Sequence, residues 1–184
     1  SSVFDLYTVG IGPSSSHTMG PMRAAALFAQ KAARLDPEKV GSIRVELFGS
    51  LGLTGKGHGT DTAVLYGLQN REIEDVDAGM VATAAERVRL RGRLSLAGVY
   101  EVAFDESRDL IFHRDQSLLR HPNGMRFSVL DAEGEPRLVR EYYSVGGGVV
   151  LPGETDASNR SREVELPYPF SSSADIIRHC RREQ

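Results

Sequence analysis

The sequence predicts an α+β domain, a mainly antiparallel sheet with helices packed on one face. Three observations carry this expectation. Helix-forming composition or spacing recurs in three runs, residues 21–33, 60–69 and 79–91. Apolar and polar residues alternate from Ser42 to Phe48, and strand-like stretches fill most of the chain after Gly92. The breaks between those later stretches carry turn chemistry, which joins sequential strands into a sheet.

Residues 3–9 form a short apolar segment with scattered polar positions, too brief to type as helix or strand. Pro21 suits the first turn of a helix, where its missing N–H costs nothing, and the Ala-rich run to Ala33 supplies propensity. Ile43, Val45 and Leu47 alternate with Arg44 and Glu46, the period of a half-buried strand. The run from Thr60 to Gln69 and the Val81, Ala84, Ala85, Val88 stripe of the next run read as helical core faces. Strand-like stretches follow at Leu94 to Phe104, Asp109 to Arg114, Met125 to Leu130 and Arg137 to Val150. They are separated at Asp105-Glu106-Ser107, His121-Pro122-Asn123-Gly124 and Ala132-Glu133-Gly134-Glu135-Pro136. From Gly153 the chain turns polar. Pro167 to Ser173 reads as a linker ending in a helix N-cap, and Ala174 to Arg182 begins an amphipathic helix.

The length of 184 residues suits one domain with a connecting segment. With 22 basic against 25 acidic residues and no dense basic cluster, nothing recommends a nucleic-acid surface. No apolar run approaches membrane-spanning length, so a soluble, cytoplasmic protein is expected. Cys180 is the only cysteine, which excludes an internal disulfide and any cluster held by several thiolates of this chain.

Two stretches concentrate chemistry. In Gly55-Lys56-Gly57-His58-Gly59-Thr60-Asp61, a histidine sits on a glycine-rich loop with a carboxylate three residues on. Such a loop permits close approach of a ligand, and His58 is a candidate general base. A tight turn whose histidine only bonds the backbone fits the heptad equally well. In Ser14-Ser15-Ser16-His17-Thr18, hydroxyls and an imidazole stand at a helix entrance, where free N–H groups favour an anion. N-capping is the plainer alternative, though one hydroxyl would suffice for it. Asn123 could hold an amine or carboxylate, while Asn-Gly is also a common hairpin turn. Tyr143 to Gly148 ends a strand in three glycines, and Val149 to Pro152 beyond them is no helix start, so a dinucleotide fingerprint is excluded. Lys56 is followed by glycine, which excludes a Walker loop.

Five blocks in order, Ser2 to Leu6, Ile11 to Thr18, Gly49-Ser50-Leu51 with Gly55 to Asp61, His121 to Met125 and Tyr143 to Gly148, resemble the β domain of bacterial iron–sulfur L-serine dehydratases. The resemblance implies a β domain over residues 1–155, then a linker and the first helix of an α domain over 156–184. It implies conversion of L-serine to pyruvate and ammonia, with a [4Fe–4S] cluster in the α domain, no ligands to it in this chain, and no pyridoxal phosphate. One cluster iron acts as a Lewis acid on the leaving hydroxyl, and His58 is the matching base. Ser14, Ser15, Ser16, His17 and Thr18 orient the substrate carboxylate, with Lys56, Asn123, Ser144, Gly146 and Gly147 completing the pocket. L-serine and the α domain are the expected partners, with a homodimer as a candidate assembly and neither nucleic acid nor membrane. The chain alone is expected to be inactive. The fold of such β domains also resembles allosteric substrate-binding domains, which raises a rival reading, a regulatory amino-acid-binding module without catalysis. A zinc site from His17, His58 and His121 is a third, without a ligand pair at helical spacing to support it.

Overall fold

The computed structural model describes residues 14–70, 73 and 76–153. The segment over residues 3–9, the boundary at 155 and the linker and helix expected over 167–182 lie outside these residues.

Helix α1 spans Met19–Ala32, β1 Ser42–Leu47, α2 Ser50–Thr54 and α3 Thr60–Gln69. Then come α4 (Ala78–Arg91), β2 (Arg93–Leu96), β3 (Tyr100–Ala103), α5 (Glu106–Asp109) and β4 (Leu110–Phe112). Strands β5 (Gly124–Leu130), β6 (Pro136–Gly146) and β7 (Val149–Pro152) complete the sheet. The seven strands run in the order β2-β3-β1-β5-β6-β7, with β4 continuing β3's line along β1. Only the β1–β3 and β1–β4 pairs are parallel; the other pairs are antiparallel.

Alternation on β1 decides which face is buried. Ile43, Val45 and Leu47 lie opposite Val129, Phe127 and Met125 of β5, and all six are fully buried. They join Phe28 of α1, Leu65 and Leu68 of α3 and Leu94 of β2 in one core. Phe127 stacks on Phe28 with ring centroids 5.3 Å apart and meets Tyr142 edge-on at 5.9 Å. The other face carries charge: Arg44 and Glu46 lie opposite Ser128 and Arg126, and Arg126 pairs with Glu141 across β5 and β6 at 2.8 Å. The α+β class and the mainly antiparallel sheet are those the sequence predicts.

Five local readings change. Helix α1 starts at Met19, so Pro21 is its third residue, still among the N–H groups that need no intrahelical partner. The stretch from Leu94 to Phe104 is a hairpin folded at Ala97 and Gly98, both at positive φ, and the apolar neighbours of Gly98 hide that turn. Asp105 caps α5, accepting from Ser107 N–H and Oγ, so the expected turn at Asp105-Glu106-Ser107 is a helical insertion within one strand line. The final stretch splits at Gly146, Gly147 and Gly148, whose φ values of 99°, 58° and 72° return the chain as β7. Nor does Asn123-Gly124 close a hairpin: β5 begins at Gly124 and pairs with β1 and β6, while β4 pairs with β1. Among the described residues no helix is long and apolar enough to cross a membrane.

Candidate active site

The hydroxyls before α1 do not cap it. Thr18 occupies the N-cap position without a side-chain cap bond and instead donates Oγ1 to the His58 carbonyl at 3.3 Å. Ser14 Oγ and Ser16 Oγ lie 3.1 Å apart, and 3.3 and 3.0 Å from His17 Nδ1. His17 Nε2 meets Ser50 Oγ at 2.9 Å. Both ring nitrogens of His17 are thereby engaged by hydroxyls, which holds the ring in place. Thr60, the first residue of α3, donates Oγ1 to the His17 carbonyl, tying the two sequence blocks together.

His58 stands differently. It closes a single 3₁₀ turn over Gly55–His58, and Gly59 follows in the left-handed region at φ 72°, ψ 25°. Its Nδ1 lies 2.9 Å from the Thr54 carbonyl oxygen. A carbonyl only accepts, so Nδ1 carries the proton, and in a neutral imidazole the lone pair is then on Nε2. Among the described residues none forms a hydrogen bond to that Nε2. The His17 and His58 rings lie 4.8 Å apart, tilted by 39°.

Burial, then the neighbouring His58, hold the His17 pKa below its ordinary value against a smaller opposing effect of Ser50. The folded state binds its proton less readily than the unfolded chain, so between the lowered value and 6.5 the unfolded state holds more protons. Stability is therefore expected to fall as pH drops through 6.5 and to level off below the lowered pKa. Urea unfolding of His17→Gln at several pH values checks this, because that variant should lose this part of the slope.

The second wall comes from the sheet's far end. Asn123 Nδ2 donates to the Ser144 carbonyl and Ser144 N–H to the Asn123 carbonyl, each at 3.1 Å. Ser144 is fully buried, and its Oγ has no hydrogen-bond partner among the described residues. It lies over Gly20 in the first turn of α1, where a Cβ would collide with it. Arg23 of α1 donates to the Gly148 carbonyl at 2.9 Å, drawing the β6–β7 turn against the same helix. Around Gly146 and Gly147 an added Cβ would meet nothing within 4 Å, so their backbone faces open space. Gly49, at φ 56°, connects the two walls: a Cβ there would strike the Pro122 carbonyl, which accepts Ser50 N–H at 2.9 Å.

The fold thus gathers Ser14, Ser16, His17, Thr18 and His58 directly, and joins Asn123 and Ser144 to them through Ser50, Pro122 and α1. Ser15 and Lys56 are exposed and make no side-chain bond recorded in this arrangement. Asp61 turns away from His58 to pair with Arg89 at 3.0 Å. Sequence reasoning assigned no role to Ser50, Thr54 or Thr60. Ser50 alone left a signal, as a hydroxyl directly after the strand-ending Gly49. His121 Nδ1 accepts from Asn123 N–H, and among the described residues no three His, Cys, Asp or Glu side chains are placed to hold a metal. The zinc reading has no support here.

The arrangement places the His58 imidazole, with Nδ1 bound, against His17 and its hydroxyl cluster. A family model described as serine dehydratase beta chain matches residues 2–155. The chain is 45% identical over 183 residues to an L-serine dehydratase of Streptomyces coelicolor, covering 98% of this chain and 40% of that protein. It is 43% identical over 182 residues to L-serine dehydratase 2 of Escherichia coli, with the same coverage of 98% and 40%. It is 37% identical over 186 residues to an L-serine dehydratase of Helicobacter pylori, covering 100% of this chain and 40% of that protein. The chain therefore spans about two fifths of the length of the curated relatives it matches. These matches mean that the chain belongs to the serine dehydratase β-chain family.

Proposed function

We propose that this chain supplies the substrate-binding and proton-abstracting half of an L-serine dehydratase active site. The observation that carries the reading is the His58 imidazole, fixed through Nδ1 on the Thr54 carbonyl with Nε2 left as the base. The overall reaction removes the Cα proton and the β-hydroxyl of L-serine as water. The aminoacrylate so formed tautomerises to iminopropionate, which water hydrolyses to pyruvate and ammonia.

In this reading the Ser14 and Ser16 hydroxyls orient the substrate carboxylate, His17 holds that hydroxyl cluster in register, and Thr18 holds the His58 loop through its carbonyl. Asn123 and the buried Ser144, bonded to each other, hold the end of β6 against α1. His58 Nε2 takes the Cα proton. The described residues do not provide the thiolate set of a [4Fe–4S] cluster, and the sequence's one cysteine, Cys180, lies outside them. Departure of the β-hydroxyl is therefore left to groups outside this chain, in an α domain carrying the cluster. A regulatory binding module, the rival reading, has no use for an imidazole with a fixed tautomer and a free lone pair.

Turnover tests the proposal. The chain joined to its α domain is expected to form pyruvate from L-serine, and the chain alone to form none after anaerobic iron and sulfide reconstitution. Pyruvate from the chain alone would remove the half-site reading, and L-serine binding without turnover by the joined protein would favour the regulatory module.

A further inference from the structure

Two neighbouring residues tie the start of α3 to different parts of the fold. Thr60 is bound inward, to the His17 carbonyl, and Gly55 of the His58 loop packs on its side chain. Asp61 is bound outward. Its carboxylate, with the residue 8% exposed, meets Arg89 Nη2 of α4 at 3.0 Å. The same guanidinium is gripped by Glu106 of α5, at 2.6 Å through Nε and 3.1 Å through Nη2. Between this clamp and His58 stand Thr60, tied to the His17 carbonyl, and Gly59, left-handed, with open space where a Cβ would be. Hydrogen bonds rather than side-chain packing hold that joint: Gly59 N–H donates to the Lys56 carbonyl at 3.3 Å and its carbonyl accepts from Ala63 N–H of α3 at 3.0 Å, so the placement of the first turn of α3 bears on it.

An exposed ion pair contributes little, whereas removing one partner of a shielded pair leaves an uncompensated charge and lets the element move. This pair is shielded on one side, with 11% of the Asp61 side chain exposed against 40% for Arg89, which Glu106 also holds. The place of Asp61 in the first turn of α3 also suits a carboxylate, since the helix dipole favours negative charge there. Two independent effects thus favour this carboxylate in its place facing Arg89.

We propose that Asp61 and Arg89, braced by Glu106, are positioning residues for the His58 base. They act by fixing the first turn of α3, and through Gly59 the orientation of the imidazole on the Thr54 carbonyl. This extends the reading of His58 as the base and rests on it. Proton abstraction tolerates little misplacement, a shift of about 1 Å costing on the order of 100-fold in rate.

The test uses the full-length enzyme carrying Asp61→Asn, Arg89→Gln or the charge-swapped pair Asp61→Arg with Arg89→Asp. Asparagine preserves the shape of the carboxylate and is tolerated near a helix start. Both single variants are expected to lower kcat by about 10- to 100-fold with KM little changed, and the swapped pair to recover part of the loss. Histidine ¹⁵N NMR, with the His58 signal identified by its loss in His58→Asn, gives a readout independent of turnover. In the wild type it should report the Nδ1–H tautomer, and in Asp61→Asn a shift toward a mixture of tautomers. A His58 resonance unmoved in both single variants overturns the positioning role, whatever happens to kcat or to the melting temperature. A moved resonance with unchanged kcat upholds the positioning role and removes His58 as the base.

Discussion

Replacing His58 by alanine in the full-length enzyme is expected to lower kcat for pyruvate formation by roughly 10²- to 10⁴-fold, the usual contribution of a positioned general base. The absorbance of the cluster proposed for the α domain should be unchanged, because the His58 side chain bonds only the Thr54 carbonyl at the end of α2 and its own carbonyl only accepts from the Thr18 side chain. That carbonyl survives in alanine, so the loop should keep its tie to α1. Loss of the imidazole therefore removes the lone pair without dismantling the wall around it. The expected signature is a fall in kcat larger than any rise in KM, as for an interaction made only in the transition state. His17→Ala should behave in the opposite sense. It releases Ser14, Ser16 and Ser50 together and loosens substrate orientation, so KM should rise with it. Near-normal turnover by His58→Ala would end the assignment of the base.

What could be read in the sequence was local. The Ala-rich run gave α1 and alternation gave β1, because propensity and period act on neighbouring residues. The turn at Gly146 to Gly148 was read as a strand's end, since its meaning depends on β7 pairing back through Ser144↔Val150. Asp61 shows the same limit. Three residues from His58, it suggests a partner for the imidazole, yet α4 brings Arg89 within reach from 28 positions along the chain. The candidate site was legible where side chains carry the chemistry, as with His17 and His58. It was not legible where backbone does: the Thr54 carbonyl that sets the His58 tautomer has no residue-type signature.

Gly49 joins both halves of the site, and Gly49→Ala is expected to destabilise the protein by about 2–6 kcal/mol. Two causes combine. Its φ of 56° with ψ of −124° lies where an L residue is strained, at a cost of roughly 1–3 kcal/mol. A Cβ would also press on the Pro122 carbonyl, and backbone cannot swing aside as a flexible side chain does. Forcing such an atom into packed structure costs typically about 1–3 kcal/mol more. Relief requires Ser50 to move away from Pro122, which breaks the 2.9 Å bond between them and shifts the hydroxyl that engages His17. The melting temperature should fall and KM for L-serine should rise in the same variant. Two glycines of the Gly55 to Asp61 heptad serve as controls. Gly59→Ala meets nothing within 4 Å but keeps a positive φ of 72°, so only the conformational part, about 1–2 kcal/mol, should appear. Gly57→Ala meets nothing and has no such φ, so it should be neutral or slightly stabilising through the unfolded chain. The order of destabilisation, Gly49 above Gly59 above Gly57, separates collision from backbone strain. Equal melting temperatures for Gly49→Ala and Gly59→Ala would show that the Pro122 carbonyl yields freely and that the two walls are not rigidly joined at Gly49.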